Sequence, residues 1–236
     1  MLPVIMPRQF YEEDQSMISV VVLQKPMHRS KTRLTGILSA EQRIGLAYSM
    51  LYDVLNVLSE VPSIDEFSIV TCDPNAMGLA TKFGANLYYE EKVSGMNQAI
   101  KAVVDSLHER VDELLILPSD IPLITVKEID MIITQKRQAP VTVFPCKNGT
   151  GTNGLLLTPP SAIDTAFGMY SLEKHCLSAF KAGYEYHIGT APLLSYDIDT
   201  VTDLFMIHEL GKGTKTYEYI HSQQVLDKLR LKEVVS

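Results

Sequence analysis

The chain of 236 residues has few cysteines and no histidine pair of the kind that binds metal. Its three cysteines, Cys72, Cys146 and Cys176, lie far apart, and no two have metal-ligand spacing. We therefore expect reduced thiols in a cytoplasmic protein. None of the six histidines forms an H-x-x-x-H pair, which argues against a zinc-hydrolase helix.

The chain also lacks an excess of basic residues and a long apolar run. Its 21 Lys and Arg residues are outnumbered by 28 Asp and Glu residues, for a net charge of -7, so sequence-independent binding to nucleic acid is not expected. No apolar run approaches the roughly 18 residues of a membrane span. Residues 1–7 lack the basic start of a signal peptide, and we interpret residues 1–17 as an extension ahead of the first strand.

What the chain does contain is an alternation of apolar strands and amphipathic helices. This order predicts an α/β fold: one domain over residues 18–236, with a mostly parallel, doubly wound mixed sheet. The predicted strands are 18–23, 67–71, 87–89, 114–117, 141–145, 154–158, 184–188 and 193–198. The predicted helices are 40–58, 75–83, 96–107, 126–136, 171–182 and 200–210.

A single carboxylate follows the most apolar of these strands. Residues 114–117 are four large aliphatics, typical of a strand buried on both faces, and Asp120 comes soon after them. Ligands of open α/β sheets bind at the carboxyl ends of the strands, and a Mg²⁺ ion there would give Asp120 a partner. The alternative is that Asp120 caps the helix that starts near Thr125.

A cluster of cations follows the first strand. Lys25, Arg29, Lys31 and Arg33 lie within residues 24–34, together with His28, although the chain as a whole is acidic. Such a cluster indicates a polyanionic ligand such as a nucleoside triphosphate. A solvated basic loop is the alternative.

Two further segments could contact an anion. Residues 149–154 match G-x-G-x-x-G, but strand residues follow them where a dinucleotide fingerprint needs a helix, so we reject a dinucleotide site. The backbone N–H groups of this turn and the Thr152 hydroxyl could still bind an anion, unless the turn is only a flexible hairpin. Ser171 is predicted as a helix N-cap beside a phosphate site, although most such serines only cap.

A pair of carboxylates ends the predicted strand 193–198. Asp197 and Asp199 stand two residues apart, so on a strand they would share one face and could converge on a metal. The alternative is that Asp199 caps the helix that begins near Val201.

In this order, these segments resemble the nucleotidyltransferase branch of the GT-A-like, or nucleotide-diphospho-sugar transferase, folds. Within it they resemble the 2-phospho-L-lactate guanylyltransferases, the CofC family, which act in making the deazaflavin coenzyme F-420. The matching segments are Lys25-Pro26, residues 30–34, 95–99, 119–123 and 151–153, Gly168 with Ser171 and His175, and residues 197–200. The loop after the first strand is longer than is usual in that family, so no role follows for His28 and Arg29.

The resemblance implies a role for each of the candidate residues. The residues that would bind GTP are Lys25, Lys31, Arg33, Gly95 and Asn97, and those that would act in catalysis are Lys25, Lys31, Arg33 and Asp120. The implied cofactor is Mg²⁺, with Asp120, Asp197 and Asp199 as ligands. Thr152, Gly168 and Ser171 would hold the phosphate or carboxylate of the acceptor.

The reaction that the resemblance implies is transfer of GMP from GTP to 2-phospho-L-lactate or phosphoenolpyruvate, with release of pyrophosphate. One alternative is a transferase of the same fold that uses a sugar phosphate or molybdopterin as acceptor, or transfers sugar from a nucleotide sugar. Another is a non-catalytic nucleotide-binding regulator. The choice of acceptor, the nucleobase and the formation of a homodimer are left open.

Overall fold

The computed structural model describes residues 16–89, 95–135 and 138–225. Most of the predicted extension, residues 1–17, lies outside the described residues. So do Lys136, the predicted end of the fourth helix, and residues 226–236 of the predicted domain.

Within the described residues, a mixed sheet of seven strands forms the centre of the fold. The strands in chain order are β1 (Ile18–Gln24), β2 (Glu66–Thr71), β3 (Asn86–Tyr89), β4 (Glu113–Pro118), β5 (Val141–Pro145), β6 (Thr152–Leu157) and β7 (Tyr186–Ile188). Across the sheet the order is β3-β2-β1-β4-β6-β5-β7. β6 runs antiparallel to β4 and β5, and the other neighbours pair in parallel, so the predicted fold class is confirmed.

Helices cover both faces of the sheet. They are α1 (Ala40–Leu58), α2 (Asn75–Phe83), α3 (Met96–Leu107), α4 (Val126–Gln135), α5 (Ser171–Ala182), α6 (Val201–Leu210) and α7 (Lys215–Ser222). Val20 and Val22 of β1 pack into a core with α1, α2, α4, α6 and α7, whereas Val21 and Leu23 pack into a second core with α3 and α5. Because β1 is buried on both faces, its sequence is apolar without alternation. No helix among the described residues is long and apolar enough to cross a membrane.

The strand order determines where a ligand can bind. β1 lies between β2 and β4, so the chain leaves β1 toward one side of the sheet and later returns to β4 on the other. A crevice opens outside the carboxyl ends of two strands at such a switch point. The loop after β1 carries the cations and the turn after β4 carries Asp120, so both reach this crevice.

One predicted element is wrong, and one helix was not predicted. Residues 193–198 form turns and irregular backbone instead of a strand, although Leu194 and Ile198 are fully buried in the first core. Their apolar pattern therefore reflects burial rather than strand pairing. Helix α7 was not predicted; its first backbone N–H groups, from Lys215 and Thr216, donate to the buried Asp53 carboxylate of α1 at 2.7 and 2.8 Å, a contact between residues far apart in the sequence.

Candidate active site

Lys31 joins the basic loop to two of the candidate acids. Its Nζ lies 2.6 Å from Asp120 Oδ2 and 2.9 Å from Asp199 Oδ1, and its side chain is only 4% exposed. Burial acts to lower the Lys31 pKa, but the attraction of Asp120 and Asp199 outweighs it and raises the pKa above its ordinary value. Lys31 is therefore a charged ammonium group held between two carboxylates.

The backbone of the basic loop has an unusual conformation at Lys31. Lys31 adopts the left-handed conformation, with φ of 55° and ψ of 37°, between the short 3-10 helices Met27–Arg29 and Thr32–Leu34. A side chain is strained in this region and persists there only where its surroundings hold it. Asp73, at the end of β2, contributes to that support, because its carboxylate accepts the backbone N–H of Met27 at 2.5 Å. Asp73 was not among the site residues predicted from the sequence.

The remaining cations of the loop are exposed. The Arg33 side chain is 71% exposed, and its Nη1 lies 3.6 Å from Asp199 Oδ2. Lys25 is exposed and adds to the positive potential that acts on Asp199. His28 and Arg29 are exposed and border a different pocket of about 280 Å³, together with Cys72 and Asn75. Arg33 and Lys25 therefore act on the Asp199 carboxylate, whereas His28 and Arg29 border the pocket next to α2.

The capping alternatives are excluded for both acids. Thr125 Oγ1 accepts the N–H of Glu128 at 3.2 Å and so caps α4 in place of Asp120. Thr200 is the N-cap of α6, with Asp203 as its capping-box partner. Asp120 and Asp199 are therefore free of helix-capping roles.

The segment that carries Asp197 and Asp199 is held from two sides. The Asn153 amide, on β6, donates to the carbonyls of Leu194 and Ser195 and to Asp197 Oδ1 at 3.0 to 3.2 Å. On the other side, the Asp203 carboxylate accepts the N–H groups of Asp199 and Thr200 at 2.9 and 2.7 Å. The predicted shared strand face is wrong, and these tertiary hydrogen bonds bring the two aspartates to the crevice.

One more cation supports this segment. Lys147 Nζ pairs with the Asp203 carboxylate and also donates to the carbonyl of Asp197 at 3.3 Å. Ile198 N–H donates to the carbonyl of Asp120 at 3.0 Å, which joins the late aspartates to the turn after β4. The sequence contains no local pattern that would have singled out Lys147, because its partners lie about 50 residues away.

The three candidate acids share one electrostatic environment. Burial raises the Asp197 pKa, and the charges of Asp120 and Asp199 raise it further against the hydrogen bond from Asn153. Burial acts to raise the Asp199 pKa as well, but Lys31, Arg33 and Lys25 outweigh it and hold the pKa below its ordinary value. The crevice is therefore a place where negative charge accumulates and cations are favoured.

Gly95 and Asn97 begin α3, which packs into the second core, whereas Ile198 packs into the first. Gly95 is the N-cap, with φ of 105° that side chains rarely adopt, and it borders a groove with Leu23, Thr71 and Met96. The Asn97 side-chain amide is engaged with the protein: its Oδ1 accepts Phe167 N–H at 2.8 Å and its Nδ2 donates to Phe167 O at 3.2 Å. Asn97 therefore anchors the backbone just before Gly168.

The three candidate acceptor residues lie near the hairpin between β5 and β6. Thr152 N–H donates to Ser171 Oγ at 2.9 Å, and Thr152 Oγ1 lies 3.0 Å from His175 Nδ1. Ser171 is the first residue of α5 and Tyr170 is its N-cap, so the predicted N-cap role of Ser171 is wrong. Gly168 has φ of 122° and open space where a Cβ would stand, so glycine is needed there for its backbone conformation.

His175 is buried at the centre of this group. Its ring is fully buried, packs edge-on against Phe167 with centroids 4.8 Å apart, and accepts the N–H of Ala166 at Nε2 at 2.9 Å. Burial lowers its pKa to about 4, with a further contribution from the nearby charge of Lys174. The ring is therefore neutral at physiological pH.

This lowered pKa predicts an acid-sensitive fold. Below pH 6.5 the unfolded chain protonates His175 while the folded state does not, so stability is complete above about pH 6.5 and is lost as pH falls toward about 4. In urea unfolding, the free energy of unfolding of wild type should fall between pH 7 and pH 4.5. In His175→Gln this fall should be smaller by roughly 2 to 3 kcal/mol. The exposed His28→Gln serves as the control, and an unchanged pH dependence in His175→Gln would contradict the prediction.

Comparison with known proteins identifies related chains. A family model described as "Guanylyl transferase CofC like" matches residues 18–231. A phosphoenolpyruvate guanylyltransferase of Conexibacter woesei is 32% identical, over 79% of this chain and 85% of the relative. A 2-phospho-L-lactate guanylyltransferase of Methanothermobacter thermautotrophicus is 33% identical, over 81% of this chain and 84% of the relative.

A solved structure shows the same fold at low sequence identity. The 4-diphosphocytidyl-2C-methyl-D-erythritol synthase of Anaerococcus prevotii superposes with a TM-score of 0.60 at 11% identity, covering 83% of this chain and 96% of that chain. At this identity the likeness concerns the fold alone.

Proposed function

Because the chain belongs to the family of CofC-like guanylyl transferases, we propose that it transfers GMP from GTP to 2-phospho-L-lactate or phosphoenolpyruvate and releases pyrophosphate. The relatives that carry these activities in their names match the chain over about four fifths of its length. The product would be the guanylyl-linked precursor used in making coenzyme F-420.

One observation in the crevice supports nucleotidyl transfer most directly. Lys31 is buried between Asp120 and Asp199 where the loop after β1 meets the turn after β4. Buried charges are costly unless paired, so the fold maintains this cluster at the switch point of the sheet. A triphosphate needs cations from the protein, and a metal that accompanies it needs carboxylates. The cluster supplies both.

The carboxylates fit a Mg²⁺ ion that arrives with its substrate. Among the described residues, no group of three or more His, Cys, Asp or Glu side chains is arranged to hold a metal alone. Mg²⁺ is usually bound by one or two carboxylates plus substrate phosphates, and the negative charges of Asp120 and Asp199 beside Asp197, whose pKa they help to raise, favour a dication. Asp120 with Asp197 or Asp199 would hold Mg²⁺, which would neutralise charge on the triphosphate.

The chemistry then requires positioning and charge neutralisation. A phosphate oxygen of the acceptor, already anionic near pH 7, attacks the α-phosphorus of GTP, and the bond to the β-phosphate oxygen breaks to release pyrophosphate. No general base is needed, because the nucleophile carries no proton. Lys25, Lys31 and Arg33 would neutralise the triphosphate, while Thr152, Gly168 and Ser171 would hold the acceptor in line for attack.

A direct assay tests this function. The protein is incubated with GTP, Mg²⁺ and either 2-phospho-L-lactate or phosphoenolpyruvate, and pyrophosphate is measured. Pyrophosphate released only when one of these acceptors is present supports the proposal. Release with a sugar phosphate or molybdopterin instead would assign a different acceptor, and no turnover with any of them would favour a nucleotide-binding regulator.

Arg33 is expected to contribute to turnover and little to stability. Arg33→Ala should lower turnover by roughly tenfold, on the scale of a lost charge-assisted contact to the triphosphate. Its exposed pair with Asp199, at 3.6 Å, should contribute less than about 1 kcal/mol to folding. Arg110→Ala, which removes another exposed arginine from its pair with Glu66, is the control. Unaltered GTP kinetics in Arg33→Ala would leave Arg33 as a solvated surface residue with no role in turnover.

Ser171 is expected to affect both acceptor use and stability. Ser171→Ala leaves the buried Thr152 N–H without its acceptor, which should cost about 1 to 2 kcal/mol of stability. The disturbed Thr152 should raise the KM for the acceptor much more than the KM for GTP. Ser178→Ala, on the same helix with its hydroxyl on the Asp164 carbonyl, is the control. Equal loss for both substrates would remove Ser171 from the acceptor site.

A further inference from the structure

The hydrogen bonds of His175 determine which of its nitrogens carries the proton. Ala166 N–H points at Nε2 over 2.9 Å, and a backbone N–H can only donate. Nε2 must therefore accept, so the neutral ring carries its hydrogen on Nδ1. Nδ1–H then donates to Thr152 Oγ1 over 3.0 Å.

This assignment leaves the hydrogen of the Thr152 hydroxyl unused. The oxygen is already an acceptor for His175, so its own hydrogen needs another acceptor. Within the described parts of the chain, no hydrogen bond pairs the Thr152 hydroxyl hydrogen with an acceptor. Thr152 is buried but keeps 8% of its surface exposed, so it is not sealed from solvent.

Ser171 lies deeper than Thr152 and supports its backbone. Its hydroxyl oxygen accepts Thr152 N–H, and the residue is only 2% exposed. Ser171 therefore fixes the backbone of Thr152 through this hydrogen bond. The Thr152 hydroxyl is thus oriented by two contacts: Ser171 places its backbone and His175 sets the direction of its hydrogen.

We infer that His175 is a positioning residue of the acceptor site, which donates from Nδ1 to Thr152 Oγ1 and so compels the Thr152 hydroxyl to donate to an anionic oxygen of the acceptor. This inference rests on the proposed function for the identity of the acceptor. Its physical basis is that a hydroxyl free to rotate can turn its lone pairs toward an anion, which repels it, whereas a hydroxyl that must donate is preorganised for one.

Two substitutions of His175 separate this role from a structural one. In His175→Gln the amide oxygen can replace Nε2 as acceptor for Ala166 N–H, but Thr152 loses its donor. In His175→Asn the amide nitrogen can replace Nδ1 as donor to Thr152, but Ala166 loses its acceptor. Binding of 2-phospho-L-lactate and of phosphoenolpyruvate is measured by titration calorimetry with the α,β-methylene analogue of GTP present, which cannot release pyrophosphate.

The expected result is asymmetric. His175→Gln should weaken acceptor binding by roughly tenfold or more, as for a lost hydrogen bond to a charged group, while His175→Asn stays within about threefold of wild type by the same reasoning. Affinity for the GTP analogue should be unchanged in both. Equal losses, or a loss in His175→Asn alone, would overturn the inference and leave His175 as an anchor for residues 166–168.

A double substitution tests the route of the effect. If His175 acts only through the Thr152 hydroxyl, Thr152→Val and Thr152→Val with His175→Gln should bind the acceptor equally weakly. A further loss of affinity in the double variant would overturn the inference.

Nitrogen-15 NMR of the wild-type histidines gives a readout that needs no variant to fold. Protonation on Nδ1 of His175 is expected, and protonation on Nε2 overturns this inference whatever the enzyme does. An acceptor that binds wild type with no pyrophosphate release in the GTP assay would instead refute the proposed function and leave the inference standing.

Discussion

Asp120→Asn is expected to lower pyrophosphate release by roughly a hundred- to a thousandfold, a loss of about 3 to 4 kcal/mol of transition-state stabilisation. The substitution keeps the shape of the side chain and removes its charge where the triphosphate and its metal would gather. Folding should change little, because Lys31 keeps Asp199 at 2.9 Å as a partner. The measurement is steady-state pyrophosphate release together with thermal unfolding.

A matched control separates the charge at this position from charge in general. Asp105→Asn makes the same chemical change on the exposed surface of α3, where Asp105 pairs with Lys101 at 3.7 Å. It should leave turnover near wild type. Wild-type turnover in Asp120→Asn would exclude Asp120 from the catalytic machinery, and a large fall in its melting temperature would make the residue structural.

Lys31→Met is expected to lower turnover by roughly a hundredfold or more, because it removes the only buried cation that Asp120 and Asp199 share in the described structure. Asp120 and Asp199 would then repel each other and the triphosphate, because no buried positive charge would lie between them. The Asp199 pKa, now held low despite burial, should rise in the variant. Turnover and the titration of the aspartates by carbon-13 NMR are the measurements.

The stability of this variant depends on pH in a defined direction. A carboxylate whose folded pKa is lowered stabilises the fold above its unfolded pKa, near 4, and loses that contribution as pH falls. Lys31→Met should therefore lose stability at neutral pH and resemble wild type more closely below about pH 4. Lys101→Met on α3 is the exposed control. Undiminished turnover in Lys31→Met would show that the buried ammonium has no catalytic role.

The architecture was accessible from the sequence because it depends on local patterns. Apolar runs without alternation indicate strands buried on both faces, and Ser39 and Gln42 form a local capping box that begins α1. The failures occurred where tertiary contacts override such patterns. Residues 193–198 carry buried apolar side chains, but the Asn153 amide binds the carbonyls of Leu194 and Ser195 in place of a neighbouring strand.

The candidate site was also predictable only in part from the sequence. That the cations of the first loop and Asp120 would approach one edge of the sheet followed from chain order and the geometry of parallel strands. Which cation would be buried did not follow: Lys31 is enclosed, while Lys25 and Arg33 remain exposed. Spacing also could not indicate that the Asn97 amide would be engaged by Phe167, 70 residues away.

By itself, the sequence determined the class of fold, the order of its elements and the chemical types of residue that reach the crevice, because these depend on periodicity, capping and charge within short windows. Only the tertiary structure decided the pairing of Lys31 with Asp120 and Asp199, the support from Lys147 and Asp203, and the protonated nitrogen of His175. Those features depend on distances and burial between residues remote in the chain, which no local pattern encodes.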